Sequence, residues 1–395
     1  MNFKFSEQQI MLQTMARDFL TKECPKQRTK EIEKEVKGYD PETWSHMAEL
    51  GWMGLVLPEE YGGSNANFMD LIVLFEEIGR NILPGPFFST VALAAIPLMD
   101  FATEDQKAKY LPEIARGEKI WTLAINEISP DFDPSAIRTE ATLENGKYVL
   151  NGEKMFVPYA NVADYMLVVA RTGSTGDPRK GLTLFIMDTT TPGIKIHSIP
   201  TLTGEKQCLV RFRQVAISKK DVLGKAGGAW TIMTQALDKA SLIKCSEVSG
   251  ACQAVLDMAN AYAKERIQFG KPIGSFQVIQ HKLAEMLMDV EGLQYLVYQA
   301  AWLTSIGAPC TDKIAMVKAK ANYVYRRAAL NGVKIHGAIG FSMDHDIGLY
   351  YRRVMATNFF PFGTDQSLDR VAECVGLGFG GSFELNCAIK MPLKF

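Results

Sequence analysis

AYAKERIQFGKPIGSFQ, residues 261–277, decides how the rest of the chain is read. It sets Arg266, Phe269 and Gln277 around a Phe-Gly-Lys-Pro turn between two long helical patterns. Read plainly, this is a helical hairpin whose Arg caps a helix end and whose Phe fills the core. On either side the texture of the chain changes, and that texture sets the domain plan.

From Ala229 onward the spacing is helical, over roughly 229–267, 276–306, 312–338 and 365–377, with Gly and Pro at the breaks. Antiparallel neighbours joined by short turns predict a four-helix bundle. Between about 119 and 225 short β-rich runs replace it, Tyr165 to Ala170 and Leu182 to Met187 among them. Lys147 to Leu150 leads into Asn151-Gly152, a hairpin signal, and Lys154 to Val157 follows. Strands flanked by helices on both sides predict an inserted β-barrel or sandwich. Upstream, Leu71, Leu74, Phe75 and Ile78 recur at three and four, one buried face of a helix in a helical domain. The fold class is therefore α+β, mainly α. Its domains are residues 1–118 (helical), 119–228 (β) and 229–395 (helical bundle with a tail).

Composition excludes several classes. The 395 residues are 47% hydrophobic and 22% charged, with net charge −1, so no basic stripe points to nucleic acid. Seven scattered cysteines without CxxC spacing give neither a disulfide framework nor a zinc site, and reduced cytoplasmic thiols are the simpler reading. The opening stretch reads as an amphipathic helix started by Ser6, not a signal peptide, because Lys4, Glu7, Arg17 and Asp18 interrupt it. No apolar run approaches the roughly 20 residues that span a bilayer. The expected location is the cytoplasm.

Five motifs, PEEYGG (58–63), EEIGR (76–80), NGEKMFV (151–157), ERIQFGKPIGSFQ (265–277) and KIHGAIGF (334–341), stand in the order and at about the spacing found in the acyl-CoA dehydrogenases. The chain resembles that FAD-dependent family over essentially its whole length. The resemblance implies oxidation of an acyl-CoA thioester. A base takes the proton beside the thioester carbonyl, hydride leaves the next carbon for the flavin, and an electron-transferring flavoprotein is the acceptor. It also implies a tetramer in which each FAD is shared across a dimer interface. Arg266 and Gln277 would reach the pyrophosphate and adenosine end, Phe269 would pack on the flavin, and Gly337 and Lys334 would complete this set, Lys334 as a cation for the pyrophosphate. Thr364 and Gln366 match further flavin contacts, and Asp238 matches an Asp on the pantetheine chain.

Departures fall where the chemistry belongs. The family's usual catalytic Glu aligns with Phe362, which retains only its backbone N–H as a carbonyl donor. The alternative base position, on the helix that opens the bundle, holds Ala240, and Ser241 stands where an Arg is common. In the β-domain loop Asn126 replaces a flavin-contacting Thr, and Phe132 replaces a Ser near the thioester. Phe156 replaces a Trp and Pro158 a Thr near the flavin. Asp131 and Glu247, seven residues after Ala240 on one helical face, are candidates for a displaced base. The residues lent to a neighbour are kept and the chain's own are degraded. Three readings follow: the base-lacking chain of a two-chain dehydrogenase; a homotetramer oxidising an unusual alicyclic or aryl-substituted ester with a displaced acid; or a non-catalytic scaffold that binds a CoA ester.

Overall fold

The computed structural model describes residues 4–128, 133–173, 176–357 and 360–377. Helices come first: α1 (Glu7–Glu23), α2 (Lys26–Ile32), α3 (Pro41–Glu49), α4 (Phe68–Asn81), α5 (Phe87–Thr90), α6 (Ile96–Phe101) and α7 (Glu104–Ala115). Three of them open on reciprocal caps, Ser6 with Gln9, Asn67 with Asp70 and Thr103 with Gln106, which satisfy otherwise unpaired N–H groups of the first turn. The expected apolar face of α4 is buried, and so are Ile72 and Val73, because neighbours cover the helix on several sides.

The closest of those contacts crosses domains. A Cβ at Gly79 of α4 would stand 1.8 Å from the carbonyl oxygen of Glu247, and one at Gly250 would stand 1.8 Å from that of Glu76. Backbone lies on backbone there, which is why EEIGR carries a Gly at its fourth place. The same turn buries two carboxylates. Glu76 accepts hydrogen bonds from Gln294 Nε2 (2.5 Å) and Tyr298 Oη (2.6 Å), and Glu77 pairs with Arg17 at 2.6 Å.

The middle of the chain forms an eight-stranded sheet: β1 (Trp121–Ala124), β2 (Glu140–Glu144), β3 (Lys147–Pro158), β4 (Tyr165–Arg171), β5 (Leu182–Asp188), β6 (Ile194–Ile199), β7 (Gln207–Ser218) and β8 (Val222–Leu223). Its order is β6-β7-β3-β2-β4-β5-β8, with β1 parallel to β4. One face packs on itself through Leu150, Met166, Val168, Phe185, Val210 and Phe212. The other face of β4 and β5, Leu167, Val169, Leu184 and Ile186, joins the helical core. Burial on both faces explains why these two runs are apolar throughout rather than alternating.

The hairpin expected at Asn151-Gly152 is not there. The chain reverses one Asn-Gly earlier, at Asn145 (φ 47°) and Gly146 (φ 80°), and β3 runs straight through Asn151-Gly152 with a register shift against β7. Gly152 is required for a different reason. A Cβ on it would meet Thr139 Oγ1 at 2.6 Å.

The last block contains α8 (Ala229–Glu265), a hairpin of β9 (Ile267–Gln268) and β10 (Lys271–Pro272), α9 (Gln277–Ser305), α10 (Thr311–His336), α11 (Ile347–Thr357) and α12 (Thr364–Cys374). The four expected helices agree with α8, α9, α10 and α12 to within a few residues, and α11 is an addition. Its periodicity is disguised by Arg353, a buried cation facing Glu33 (3.7 Å) and Glu205 (3.4 Å). Thr311 donates to Asp238 and His336 stacks on Tyr262, so α8 and α10 run side by side and parallel. Among the described residues no helix is long and apolar enough to cross a membrane.

Burial raises the Glu76 carboxyl from 4.5 to about 7, over the opposing hydrogen bonds from Tyr298 and Gln294. An acid whose folded pKa is raised stabilises the fold fully below its unfolded value, and that contribution is lost as pH climbs through about 7. Glu76→Gln, neutral throughout, will therefore gain thermal stability relative to the parent between pH 5 and pH 8. Melting curves of both proteins across that range check it, and parallel curves would refute it.

Candidate active site

At the far end of α8 the chain turns through the β9–β10 hairpin. Arg266 follows the last helical residue; its N–H bonds to Tyr262 O (2.8 Å) and its carbonyl accepts from Ile273 N (2.8 Å). Phe269, at the tip, has φ 54° and is 92% exposed. Gln277 begins α9 and is also exposed. The 4.5 Å stack of Tyr262 on His336 brings the end of α10 alongside, and with it exposed Lys334 and Gly337. Gly337 leaves the helix at φ 64°, with nothing within 4 Å of a Cβ placed on it. His336 is buried in the bundle, its Nδ1 2.7 Å from Gly332 O. The structure thus gathers Arg266, Phe269, Gln277, Lys334 and Gly337 on one open end of the bundle.

The second group sits near the other end of α8. Asp238 does not present a free carboxylate: Oδ1 takes Arg370 Nη2 at 2.6 Å and Oδ2 takes Thr311 Oγ1 at 3.2 Å. Burial pushes its carboxyl above the usual range, and Arg370 opposes the shift. The same guanidinium lies 4.4 Å over the ring of Phe362, which is buried. Ala240 and Ser241 are fully buried on α8. Thr364 accepts from Asn322 Nδ2 (3.2 Å), and Gln366 reaches back to the N–H of Gly363 (3.4 Å) at the start of α12. Glu247 is held by Lys244, Nζ to Oε2, at 2.5 Å.

The third group is in the β domain. Met155 N bonds to Asn126 O (2.9 Å) and Thr122 Oγ1 to Pro158 O (2.5 Å), so Asn126, Phe156 and Pro158 lie on adjoining backbone. A register shift between Lys154 and Val157 sets Phe156 at φ 52° with its ring half exposed. Beneath them Lys154, with no solvent contact, pairs with Glu127 at 2.8 Å and donates to Ile125 O at 3.1 Å. Burial brings the Lys154 ammonium down to about 8. Burial also works to raise the Glu127 carboxyl, but Lys154 and the N–H groups of Thr139 and Arg138 hold it below the usual range. Asp131 and Phe132 lie outside the described residues.

The first two groups are far apart. At 1.5 Å per residue, Asp238 and Tyr262 on uninterrupted α8 are separated by about 36 Å, more than the width of a small domain.

Four residues here escaped the sequence reading. Lys318, buried on α10 among Ile314, Val317 and Ala321, donates to Thr357 O (2.5 Å) and Phe360 O (3.5 Å) and so tethers the approach to Phe362. Its signal was a lysine on an apolar helical face. Lys154, Lys244 and Arg370 are likewise buried or partly buried cations; Glu247 stands three residues after Lys244 on α8, whereas Glu127 and Asp238 meet Lys154 and Arg370 only in the fold.

Chemically, the open end offers two cations for a pyrophosphate, an exposed ring for a planar heterocycle and a glycine turn with room for close approach. That donor set fits a flavin dinucleotide, but α8 holds it apart from the chain's own Asp238–Phe362 group.

Family models match the chain in three consecutive parts: acyl-CoA dehydrogenase N-terminal domain over residues 6–118, middle domain over 122–215 and C-terminal domain over 227–373. Subunit CarC of the caffeyl-CoA reductase-Etf complex of Acetobacterium woodii is 31% identical over 367 residues, 92% of this chain and 96% of that one. Butyryl-CoA dehydrogenase of Megasphaera elsdenii superposes with a TM-score of 0.88 at 28% identity, over 95% of this chain and 99% of the other. A steroid acyl-CoA dehydrogenase whose name joins two gene products superposes at 0.84 with 26% identity, over 94% and 98% of the two chains.

Removing one member of a buried ion pair strands the other, at a cost of about 3–5 kcal/mol. Glu127→Gln alone will therefore lower the melting temperature sharply, and adding Lys154→Met will recover most of the loss. Equal melting of the single and double variants would remove Lys154–Glu127 as the tie under Asn126 and Phe156.

Proposed function

Because the chain belongs to the acyl-CoA dehydrogenase family, an oxidoreductase family with FAD as cofactor, we propose that it is the base-lacking subunit of a two-chain acyl-CoA dehydrogenase. It completes the flavin site of a related chain that carries the acid. The observation that carries this reading is the separation of its groups: the open end with Arg266, Phe269, Gln277, Lys334 and Gly337 stands about 36 Å along α8 from the Asp238–Phe362 group. That spacing supports a second chain meeting the open end, and the hydrocarbon side chains at both base positions, Phe362 and Ala240, favour a partner that carries the acid. The two-gene name of the steroid relative supports a partner that is not a copy.

FAD, when bound, supplies the hydride acceptor. Everything else is assigned to side chains and backbone. Arg266 and Lys334 neutralise the pyrophosphate, Gln277 bonds the adenosine end, and Phe269 covers the ring across the interface. In the chain's own site Phe362 N–H polarises a thioester carbonyl, as preorganised donors do for a developing enolate. Among the described residues the usual positions offer the proton of that thioester no acceptor: Phe362 is a hydrocarbon ring under Arg370, Ala240 is a methyl group, and the carboxylate of Glu247 is paired with Lys244. The homotetramer reading needs Glu247 or Asp131 as acid, and the Lys244 pair weighs against the first. The name of the Acetobacterium woodii relative supports an electron-transferring flavoprotein as the partner that accepts electrons.

Two outcomes check the proposal. Arg266→Ala will lower flavin occupancy of the assembled complex after dialysis, since a charge-assisted bond to phosphate contributes about 1.5–3 kcal/mol. The absorbance ratio of flavin to protein measures it, and an unchanged ratio counts against the assignment. The isolated chain will oxidise butyryl-, octanoyl- and palmitoyl-CoA about 10²–10⁴-fold more slowly than the complex, the usual cost of a missing general base. Rapid oxidation by the lone chain in a dye-reduction assay refutes the base-lacking reading.

A further inference from the structure

Two of the chain's five histidines meet ring to ring under the open end. His336, the last residue of α10, stacks on Tyr262, and its ring centre lies 4.6 Å from that of His345. His345 belongs to the connection that carries the chain from Gly337 into α11. Hydrogen bonds fix the protons on both rings. His336 Nδ1 faces a carbonyl oxygen, that of Gly332 at 2.7 Å, so it carries a hydrogen. His345 Nδ1 accepts from the N–H of Ile347 at 3.2 Å, so it carries none and its ring is neutral. Ile347 is the first residue of α11 and is fully buried, so water offers its N–H no substitute for that ring.

We propose that the His336–His345 pair, while both rings are neutral, positions the turn bearing Lys334 and Gly337, and that acid loosens this turn and releases the flavin. The proposal rests on the reading that the open end holds a dinucleotide. His336 immediately precedes Gly337 and His345 stands two residues before Ile347, so the pair clasps the connection near both its ends. A proton added to His345 goes to Nδ1, the lone pair left on the ring, and so expels the Ile347 N–H. It also sets a cation at the N-terminus of α11, where the helix dipole opposes it. A proton added to His336 goes to Nε2 and sets a cation in a buried place beside the other ring. The groups around them give little relief. Lys334 of α10 and Arg352 of α11, whose Nη1 lies 3.7 Å from Met343 Sδ, are themselves cations. Of the two carboxylates in the connection, Asp346 is held by Lys30 of α2 at 2.8 Å and Asp344 is exposed. From α8 the facing group is the Tyr262 phenol. Burial lowers the His336 ring from its ordinary 6.5, against its bond to Gly332 O, and His345 adds to the lowering. A base that the fold holds neutral contributes fully above its unfolded value, and that contribution is lost as pH falls through the folded one. The sensitive window therefore lies below about pH 6.5.

Flavin retention by the assembled, FAD-loaded protein tests this, read from the fluorescence of freed flavin between about pH 7.5 and about pH 5.5. The parent is expected to bind FAD about tenfold more weakly at the acid end, the worth of one buried N–H left unpaired. His345→Asn offers Ile347 N–H a side-chain oxygen that takes no proton, and its profile is expected to be flat. His345→Ala leaves that N–H unpaired at every pH, and its retention is expected to be low throughout. Amide exchange at residues 345–349 of the flavin-free protein reads the clasp without the cofactor. After correction for intrinsic rates, the parent is expected to lose protection below about pH 6.5 and the Asn variant to keep it. A parent whose retention is flat, or an Asn variant as acid-sensitive as the parent, overturns the proposal. So does exchange in the parent that ignores pH. Absence of FAD binding at every pH overturns the dinucleotide reading of the open end, while exchange still decides whether the pair is a clasp.

Discussion

The contact on which the rest depends is the crossing of α4 and α8, where Gly79 and Gly250 let two helices meet backbone to backbone. Any side chain there would force them apart, and overpacked cores resist such insertions at about 1–3 kcal/mol or more. The crossing locks the N-terminal helices to the bundle. Close by, the Lys244 ammonium of α8 lies 4.0 Å over the ring of Phe88 in α5, a further contact between the same two domains. Glu76 and Glu77 sit on the same turn and are satisfied from α9 and α1, which ties two further helices to the crossing point.

Much of this was legible before any coordinates. The helical period of α4, the apolar runs of β4 and β5 and the long bundle helices are local patterns, and local patterns are what a sequence displays. Asn-Gly at 151–152 misled because its signal is identical to that at 145–146. What separates them is the pairing of β3 with β7 and the approach of Thr139, both remote in sequence. α11 was hidden because Arg353 breaks its apolar stripe, and only the fold supplies Glu33 and Glu205 to cover the charge.

The site was legible as an inventory and not as an arrangement. Arg266, Phe269 and Gln277 announce themselves within one turn of sequence. That Lys334 and Gly337 join them depends on Tyr262 stacking on His336, and that Asp238 is occupied depends on Arg370, 132 residues away. Buried cations are a recurrent omission: Lys154, Lys244, Lys318 and Arg370 each read as ordinary polar positions until a carboxylate or carbonyl is found beside them. A charge on an otherwise apolar stripe is therefore the cue worth following in chains of this kind.

The tip of the β9–β10 hairpin has a consequence for the cell that makes this protein. Strands of two residues hold little on their own, and here they display Phe269 at 92% exposure beside Ile267 at 59%. Such a tip is adhesive until something covers it. Whenever that tip stands uncovered the chain carries a standing aggregation hazard, written into a single turn.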